Sequence, residues 1–308
     1  MHLMDLHSQY PGVMDLKWRA EKRIPKFVWE FLDSGTGTEA TKSRNRTALD
    51  KVGFMPSILH GAQEPDLTTR FLGHDYPLPF GCAPVGMSGL IWPDAEHLLA
   101  RAMAAAGLPY CISNVATQMP EDMTDDIGEH GWFQLYPPEP EDIRRDLLDR
   151  VKASGFSTLV LTVDVPVASR RERQIRAGLT QPPRLTPRIL SQIATCPTWA
   201  MGMAQRGMPR MRTLEKYIKT ESALPSNAHI GYLMRTSPDM SYVHWLRDYW
   251  DGPFIVKGVA PRGRRRAGGC GGRCAVAVQP CRAAIRRLAR DNRTAARAAC
   301  RDQTTADL

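Results

Sequence analysis

The sequence predicts an α/β fold of parallel strands joined by right-handed helical crossovers. Three observations carry this expectation. From residue 79 onward short apolar runs alternate with amphipathic segments. The run Thr158-Leu-Val-Leu-Thr-Val-Asp164 is apolar on both faces, as a parallel strand covered by helices must be. Polar or reactive residues end successive runs, at Ser113, Gln134, Tyr136, Thr162, Asp164 and Lys257. Periodicity is satisfied equally by an open doubly wound sheet and by a closed β/α barrel. Functional groups gathered at the C-terminal mouths of strands suit the barrel.

A polar, helical N-terminal region is expected up to Asp33-Ser34-Gly35. Pro79-Phe-Gly-Cys-Ala-Pro84 reads as the first strand and turn. Asp94 to Ala106 reads as a helix with Asp94 as N-cap and Leu98, Leu99, Ala102, Met103 and Ala106 on one face. Tyr110-Cys-Ile-Ser113 is the second strand, and an acidic helical stretch from Pro120 to Glu129 follows it. Trp132 to Tyr136 is the third strand. The next helix opens on Pro140, Glu141 and Asp142, which suit a first turn, buries Ile143, Leu147 and Val151, and stops at Gly155. Thr158 to Asp164 is the fourth strand and Phe254-Ile-Val-Lys-Gly258 the fifth. Between these two lies a long insertion with Met201, Met203, Met208 and Met211 interleaved with Arg206, Arg210 and Arg212. An insertion at that mouth acts as a substrate lid or an attachment surface, and apolar residues beside Arg can touch a membrane interface.

Composition changes abruptly near Val259. Residues 260–308 hold twelve Arg, three Asp and neither Lys nor Glu; they therefore sum to +9, the formal net charge of the whole chain, and residues 1–259 sum to zero. We therefore divide the chain into an enzyme-like part, 1–259, and an irregular Arg/Ala/Gly-rich tail, 260–308, with the character of a GC-rich gene read out of frame. Outside the tail only Cys82, Cys111 and Cys196 occur; their wide spacing suggests buried thiols, with neither a disulfide framework nor a metal site. The longest nearly apolar run, Gly81 to Pro93, is too short to span a bilayer. The N-terminus lacks a basic region followed by an apolar one, so a cytoplasmic location is expected, with peripheral contact at the inner membrane face as its variant.

The strand-end residues resemble those of the FMN-dependent α-hydroxy acid dehydrogenases and oxidases, the family of L-lactate dehydrogenase, mandelate dehydrogenase and glycolate oxidase. The resemblance runs from about Pro11 to Val259. Its motifs appear in family order: Ile24-Pro-Lys-Phe with Asp33-Ser-Gly35, Asn45-Arg46, Ala83-Pro84, Ser113 with Ala116-Thr117, Phe133-Gln-Leu-Tyr136, Leu161-Thr-Val-Asp164-Val-Pro, Arg170-Arg-Glu172, Trp245-Leu-Arg and Val256-Lys-Gly258. It implies a (β/α)8 TIM barrel, incomplete here at about five of eight strands, with FMN at the C-terminal mouth. It further implies that backbone around Ala83, Pro84 and Val85 faces the reactive edge of the flavin, and that Ser113, Gln134 and Thr162 hydrogen-bond its pyrimidine part. Lys257 would stand where reduction leaves negative charge. Arg171 would hold the substrate carboxylate, Tyr136 would direct its hydroxyl at the substrate, and Asp164 would orient a catalytic histidine.

Two departures accompany the resemblance. Phe31 stands where the family has a tyrosine that contacts the substrate carboxylate, so one hydrogen bond is lost. The family's Ser-Asn-His-Gly-Gly-Arg-Gln motif, which carries the general-base histidine and a second arginine, has no counterpart, and no histidine follows His244. The expected function is oxidation of a lactate-like or mandelate-like (S)-2-hydroxy acid to the 2-oxo acid by hydride transfer to flavin N5, impaired or inactive in this chain. A quinone or oxygen would accept the electrons, and relatives assemble as homo-oligomers. Val115, smaller than the aromatic residue of some relatives, would leave room for a bulky substrate. The alternatives are a non-catalytic fragment and a protein whose Arg-rich tail binds nucleic acid or an anionic surface. Nucleic acid is disfavoured because no aromatic residue lies between Ala260 and Leu308 to stack on bases.

Overall fold

In the computed structural model, which describes residues 6–165, 169, 171–179, 185–217, 236–259 and 274–278, the centre is a five-stranded sheet. A small antiparallel hairpin comes first, β1 (Thr69–Phe71) with β2 (His74–Tyr76). The central strands are β3 (Tyr110–Ser113), β4 (Gly131–Leu135), β5 (Thr158–Thr162), β6 (Phe254–Val259) and β7 (Cys274–Val278), in that spatial order. β3 to β6 are parallel throughout; β7 runs antiparallel to β6.

The helices are α1 (Leu6–Gln9), α2 (Val13–Arg23), α3 (Lys26–Asp33), α4 (Ala40–Asp50), α5 (Ser88–Ile91), α6 (Ala95–Ala105), α7 (Glu141–Ala153), α8 (Glu172–Ala177), α9 (Pro187–Ala194), α10 (Pro197–Arg206), α11 (Arg212–Glu215) and α12 (Met240–Tyr249).

Side chains along a strand alternate between faces, and here the alternation sorts two cores. Tyr110 and Ile112, Phe133 and Leu135, Leu159 and Leu161, and Phe254 and Val256 pack with Ala100 of α6, Leu147, Leu148 and Val151 of α7, and Val243 and Leu246 of α12. The intervening residues Cys111, Val160 and Ile255 form a small cluster on the opposite face with Leu72 of the hairpin turn and Trp132. One residue pair further along each strand, this second face turns polar. Both faces are thus covered, which explains the near-continuous apolar strand sequences.

A second layer joins the N-terminal helices to the insertion. Phe27, Val28 and Trp29 of α3 bury against Ile189 of α9 and Trp199 and Met203 of α10. Phe27 meets Trp199 edge to face at 6.0 Å, and the Phe27 amide donates to Gln192 Oε1 at 2.7 Å. Ions reinforce the joint. Arg173 of α8 reaches Glu30 at 2.5 Å, Asp33 at 3.2 Å and Glu39 at 3.0 Å, and Lys17 reaches Asp33 at 2.9 Å. Burial opposes ionisation of Asp33, but hydrogen bonds from Lys17, Lys42 and Arg173 outweigh it and hold its carboxyl at about 2.

Four sequence expectations are corrected. Pro79–Pro84 is not a full strand: only Cys82 bridges Tyr110 in parallel, because prolines and glycine in that run interrupt the ladder. The stretch 120–129 forms two 3-10 turns, Pro120–Met123 and Gly128–His130, in place of a helix. α6 buries Glu96 and Ala100, with Met103 packed behind them, and leaves Leu98 and Leu99 52% and 38% exposed. That helix is rotated because a buried carboxylate finds its hydrogen bonds on the inner side. Asp94 stands at the N-cap position as expected, but its side chain makes no capping bond; its carboxylate pairs with Arg206 of α10 at 2.6 Å. Within the tail the described residues are Cys274–Val278, whose Cys-Ala-Val-Ala-Val sequence suits a strand and which pair along the edge of β6 as β7; the expectation for the rest of the tail lies outside the described residues.

Two outcomes follow. Phe133→Ala removes a fully buried ring from the helix-facing core and is expected to cost about 3–5 kcal/mol, read from the urea unfolding midpoint. The depressed Asp33 carboxyl contributes stability that is fully present above its unfolded value of 3.8 and is lost as the pH falls through about 2. Asp33→Asn should therefore lower Tm at neutral pH and flatten its decline across that acid interval, measured by circular dichroism.

Candidate functional site

The polar face of the sheet forms the site. Ser113 ends β3, Gln134 sits next to the end of β4, Thr162 ends β5 and Lys257 lies in β6. Register places Ser113 beside Gln134 and Thr162 beside Lys257. Gln134 pairs with Val160, so Thr162, two residues further along, shares its face. Ser113 Oγ donates to Gln134 Oε1 at 2.5 Å, and Gln134 Nε2 donates to Thr162 Oγ1 at 3.0 Å. All three residues are at most 2% exposed. A buried row of this kind is satisfied only if every member finds its partner, so each side chain orients the next.

Lys257 continues the row as a cation. Its Nζ lies 3.8 Å from Asp164 Oδ1, whose side chain is almost wholly buried. The backbone gives way to permit this contact. Gly258 has φ 103°, and a Cβ there would stand 2.5 Å from Asp164 Cβ, so no other residue fits.

Asn114, a residue the sequence reading passed over, locks the neighbouring mouth. Its Nδ2 donates to the Tyr136 carbonyl at 3.2 Å and its Oδ1 accepts from the Tyr136 amide at 3.3 Å. Only its place directly after Ser113 hinted at this. The Tyr136 ring packs with Val115, Ile143, Met211 and Tyr217 around the fully buried Leu214 of α11. The insertion thus reaches the mouth and walls it with apolar side chains. Gly86 lies against that wall, where a Cβ would come within 2.8 Å of Val115 Cγ2.

Ala83 and Val85 are exposed and Pro84 is half-buried, so backbone at this first mouth is open. The two carboxylate-binding candidates lie in the second layer. Phe31 is partly buried on α3, its carbonyl accepting from Gln174 Nε2 at 3.3 Å. Arg171 is exposed ahead of α8, its Nε donating to Ser169 Oγ at 3.3 Å. Arg173, two residues on, is committed to the carboxylates of α3. Cys82, Cys111 and Cys196 are free thiols, and burial pushes those of Cys82 and Cys111 up, away from thiolate chemistry. Among the described residues no cluster of His, Cys, Asp and Glu could hold a metal ion.

Hydroxyl, amide, hydroxyl and ammonium in one row form a donor and acceptor set matched to a planar ring edge of alternating C=O and N–H groups, with a cation at one end. That is the edge FMN presents, so these residues fit it.

Comparison with known proteins agrees. The model of the family described as FMN-dependent dehydrogenase matches residues 20–267. An L-lactate dehydrogenase of Ectopseudomonas mendocina (strain ymp) is 34% identical over 249 residues, which cover 80% of this chain and 65% of that protein. One from Vibrio cholerae serotype O1 (strain M66-2) is 32% identical over the same lengths. The chain therefore spans about 65% of the length of the curated relatives it matches. Among solved structures, the monotopic membrane protein (S)-mandelate dehydrogenase superposes with a TM-score of 0.74 at 28% identity, covering 81% of this chain and 66% of that one. A mandelate oxidase gives 0.62 at 28%, covering 81% and 63%. With a matching family model over most of its length and the Ser113-Gln134-Thr162-Lys257 row at its strand mouths, the chain belongs to the FMN-dependent dehydrogenase family.

Proposed function

We propose that the chain binds FMN against the row at the strand mouths and serves oxidation of an (S)-2-hydroxy acid of lactate-like or mandelate-like size to the 2-oxo acid. The observation that carries this is the polar row itself: a continuous donor and acceptor series on adjacent strands, ending in a cation. Bound FMN supplies the acceptor for the hydride on the substrate's Cα. The chain's own groups do the rest. Gln134, held by Ser113 and Thr162, fixes the in-plane position of the ring edge. Lys257 stabilises negative charge at one end of the row, an arrangement worth most in a site from which water is excluded. Tyr136 directs its hydroxyl toward the substrate, and Arg171 supplies a guanidinium for the carboxylate. Asp164 orients a protonated imidazole where one is present. Within residues 245–308 no histidine can take the hydroxyl proton, and turnover by this polypeptide is reduced accordingly, by about 10²- to 10⁴-fold.

An absorption titration of the purified chain with FMN tests the reading. Saturable binding with a perturbed flavin spectrum, followed by slow anaerobic bleaching with L-lactate or (S)-mandelate, is the expected result. Lys257→Met should bind FMN more weakly and lower its reduction potential. A chain that leaves the FMN spectrum unchanged would overturn the assignment.

A second reading concerns location. Among the described residues no helix is long and apolar enough to cross a membrane. Yet Leu185, Leu190, Met201 and Met208 of the insertion are each more than half exposed, beside the largely exposed Arg206 and Arg210. Apolar groups interleaved with cations suit the boundary of an anionic bilayer, and a similar protein, (S)-mandelate dehydrogenase, is a monotopic membrane protein. Co-sedimentation with vesicles containing anionic phosphatidylglycerol should fall when Leu190 and Met201 are replaced by Glu. Equal sedimentation would remove the insertion from membrane contact.

A further inference from the structure

Glu96 is a fully buried carboxylate that the proposed chemistry does not use. It stands in the first turn of α6, where an acidic residue is ordinarily solvated and favoured by the helix dipole. Here it points inward. Its Oε1 accepts three hydrogen bonds, from the Gly89 amide at 3.2 Å, the Thr117 amide at 2.9 Å and the Thr117 hydroxyl at 2.7 Å. Gly89 lies four residues after Val85, and Thr117 four residues after Ser113. One oxygen atom therefore ties α5, which follows the Ala83–Val85 segment beside β3, to the loop that leaves β3 after Ser113.

The two segments are pressed together at this point and have no slack. A Cβ on Gly89 would stand 2.0 Å from Thr117 Oγ1 and 3.2 Å from Glu96 Oε2. Nearby, the Met87 amide donates to the Val115 carbonyl at 2.9 Å and Trp199 Nε1 donates to the Leu90 carbonyl at 3.1 Å. These two bonds flank the junction but cannot replace the acceptor at its centre, because the two amides and the hydroxyl are buried and would lose their partner.

We propose that Glu96 is a positioning residue for the cofactor site: it sets the separation of the Ala83–Val85 segment and the Ser113 mouth by serving as the common acceptor for α5 and the loop that follow them. The inference rests on the flavin reading for its consequence but not for the clamp itself. Freeing the two segments leaves only a fraction of molecules with both in register, and apparent FMN affinity falls by that fraction.

The test uses the full chain in two arms. In flavin-free protein, hydrogen exchange of the peptides containing Gly89 and Thr117 should be slow in the parent and in Glu96→Gln, which keeps an acceptor oxygen. In Glu96→Ala it should be faster by about tenfold or more, the scale of one buried donor left unpaired. In the second arm, an FMN titration followed by flavin fluorescence should show Glu96→Ala weaker by about tenfold and Glu96→Gln within about threefold of the parent. Unchanged exchange in Glu96→Ala overturns the clamp. A lower Tm with faster exchange but unaltered FMN affinity overturns the positioning role and leaves Glu96 as a core group. A parent chain that binds no FMN overturns the flavin reading and with it the cofactor role, while the exchange arm still decides the clamp. Should Glu96→Ala not fold, Thr117→Val, which deletes one of the three bonds, is read in the same two ways.

Discussion

The two-residue alternation of the parallel strands is the constraint on which the rest of the molecule depends. It sends Phe133, Leu135, Leu159 and Leu161 toward the helices and Gln134 and Thr162 to the other side. The same register that packs the core aligns the polar row. A slip of one residue in any strand would expose the apolar set and bury the polar one without partners, so fold and site stand or fall together.

Around this sheet the protein spends ionic and polar groups on holding loops rather than on decorating the surface. Arg173 gathers three carboxylates from the N-terminal region, and Asn114 and Glu96 each fasten backbone near a strand mouth. Such groups cost little when every bond is made and a great deal when one is missing. The second layer, built from α3, α8, α9 and α10, is joined to the mouth through α5 by Leu90 and Trp199. The insertion is therefore a structural part of the site, with one side packed and the other exposed.

Much of this was legible in the sequence. Strands β3 to β6 announced themselves through apolar runs closed by polar residues, and the family motifs assigned Ser113, Gln134, Thr162 and Lys257 before any geometry was known. What the sequence concealed was tertiary. Glu96 reads as an ordinary first-turn charge, and nothing local says that it faces inward or that Leu98 and Leu99 do not. Asp94 keeps its cap position, but Arg206, more than a hundred residues away, claims its side chain. The strand expected over 79–84 failed because proline and glycine admit extended backbone without sustaining a ladder. Asn114 carried no signal beyond its neighbour.

The orientation of β7 has a consequence for what can border Lys257. Its partner at the mouth is the start of the strand, since Cys274 pairs with Val259 and Ala275 with Lys257. In the parallel strands the chain climbs to the mouth and departs there; in β7 it enters at the mouth and descends. This reversed polarity turns the peptide units of β7 against those of its neighbours. β7 therefore borders Lys257 through its own first residues, while its last, Val278, pairs with Phe254 at the floor of the sheet.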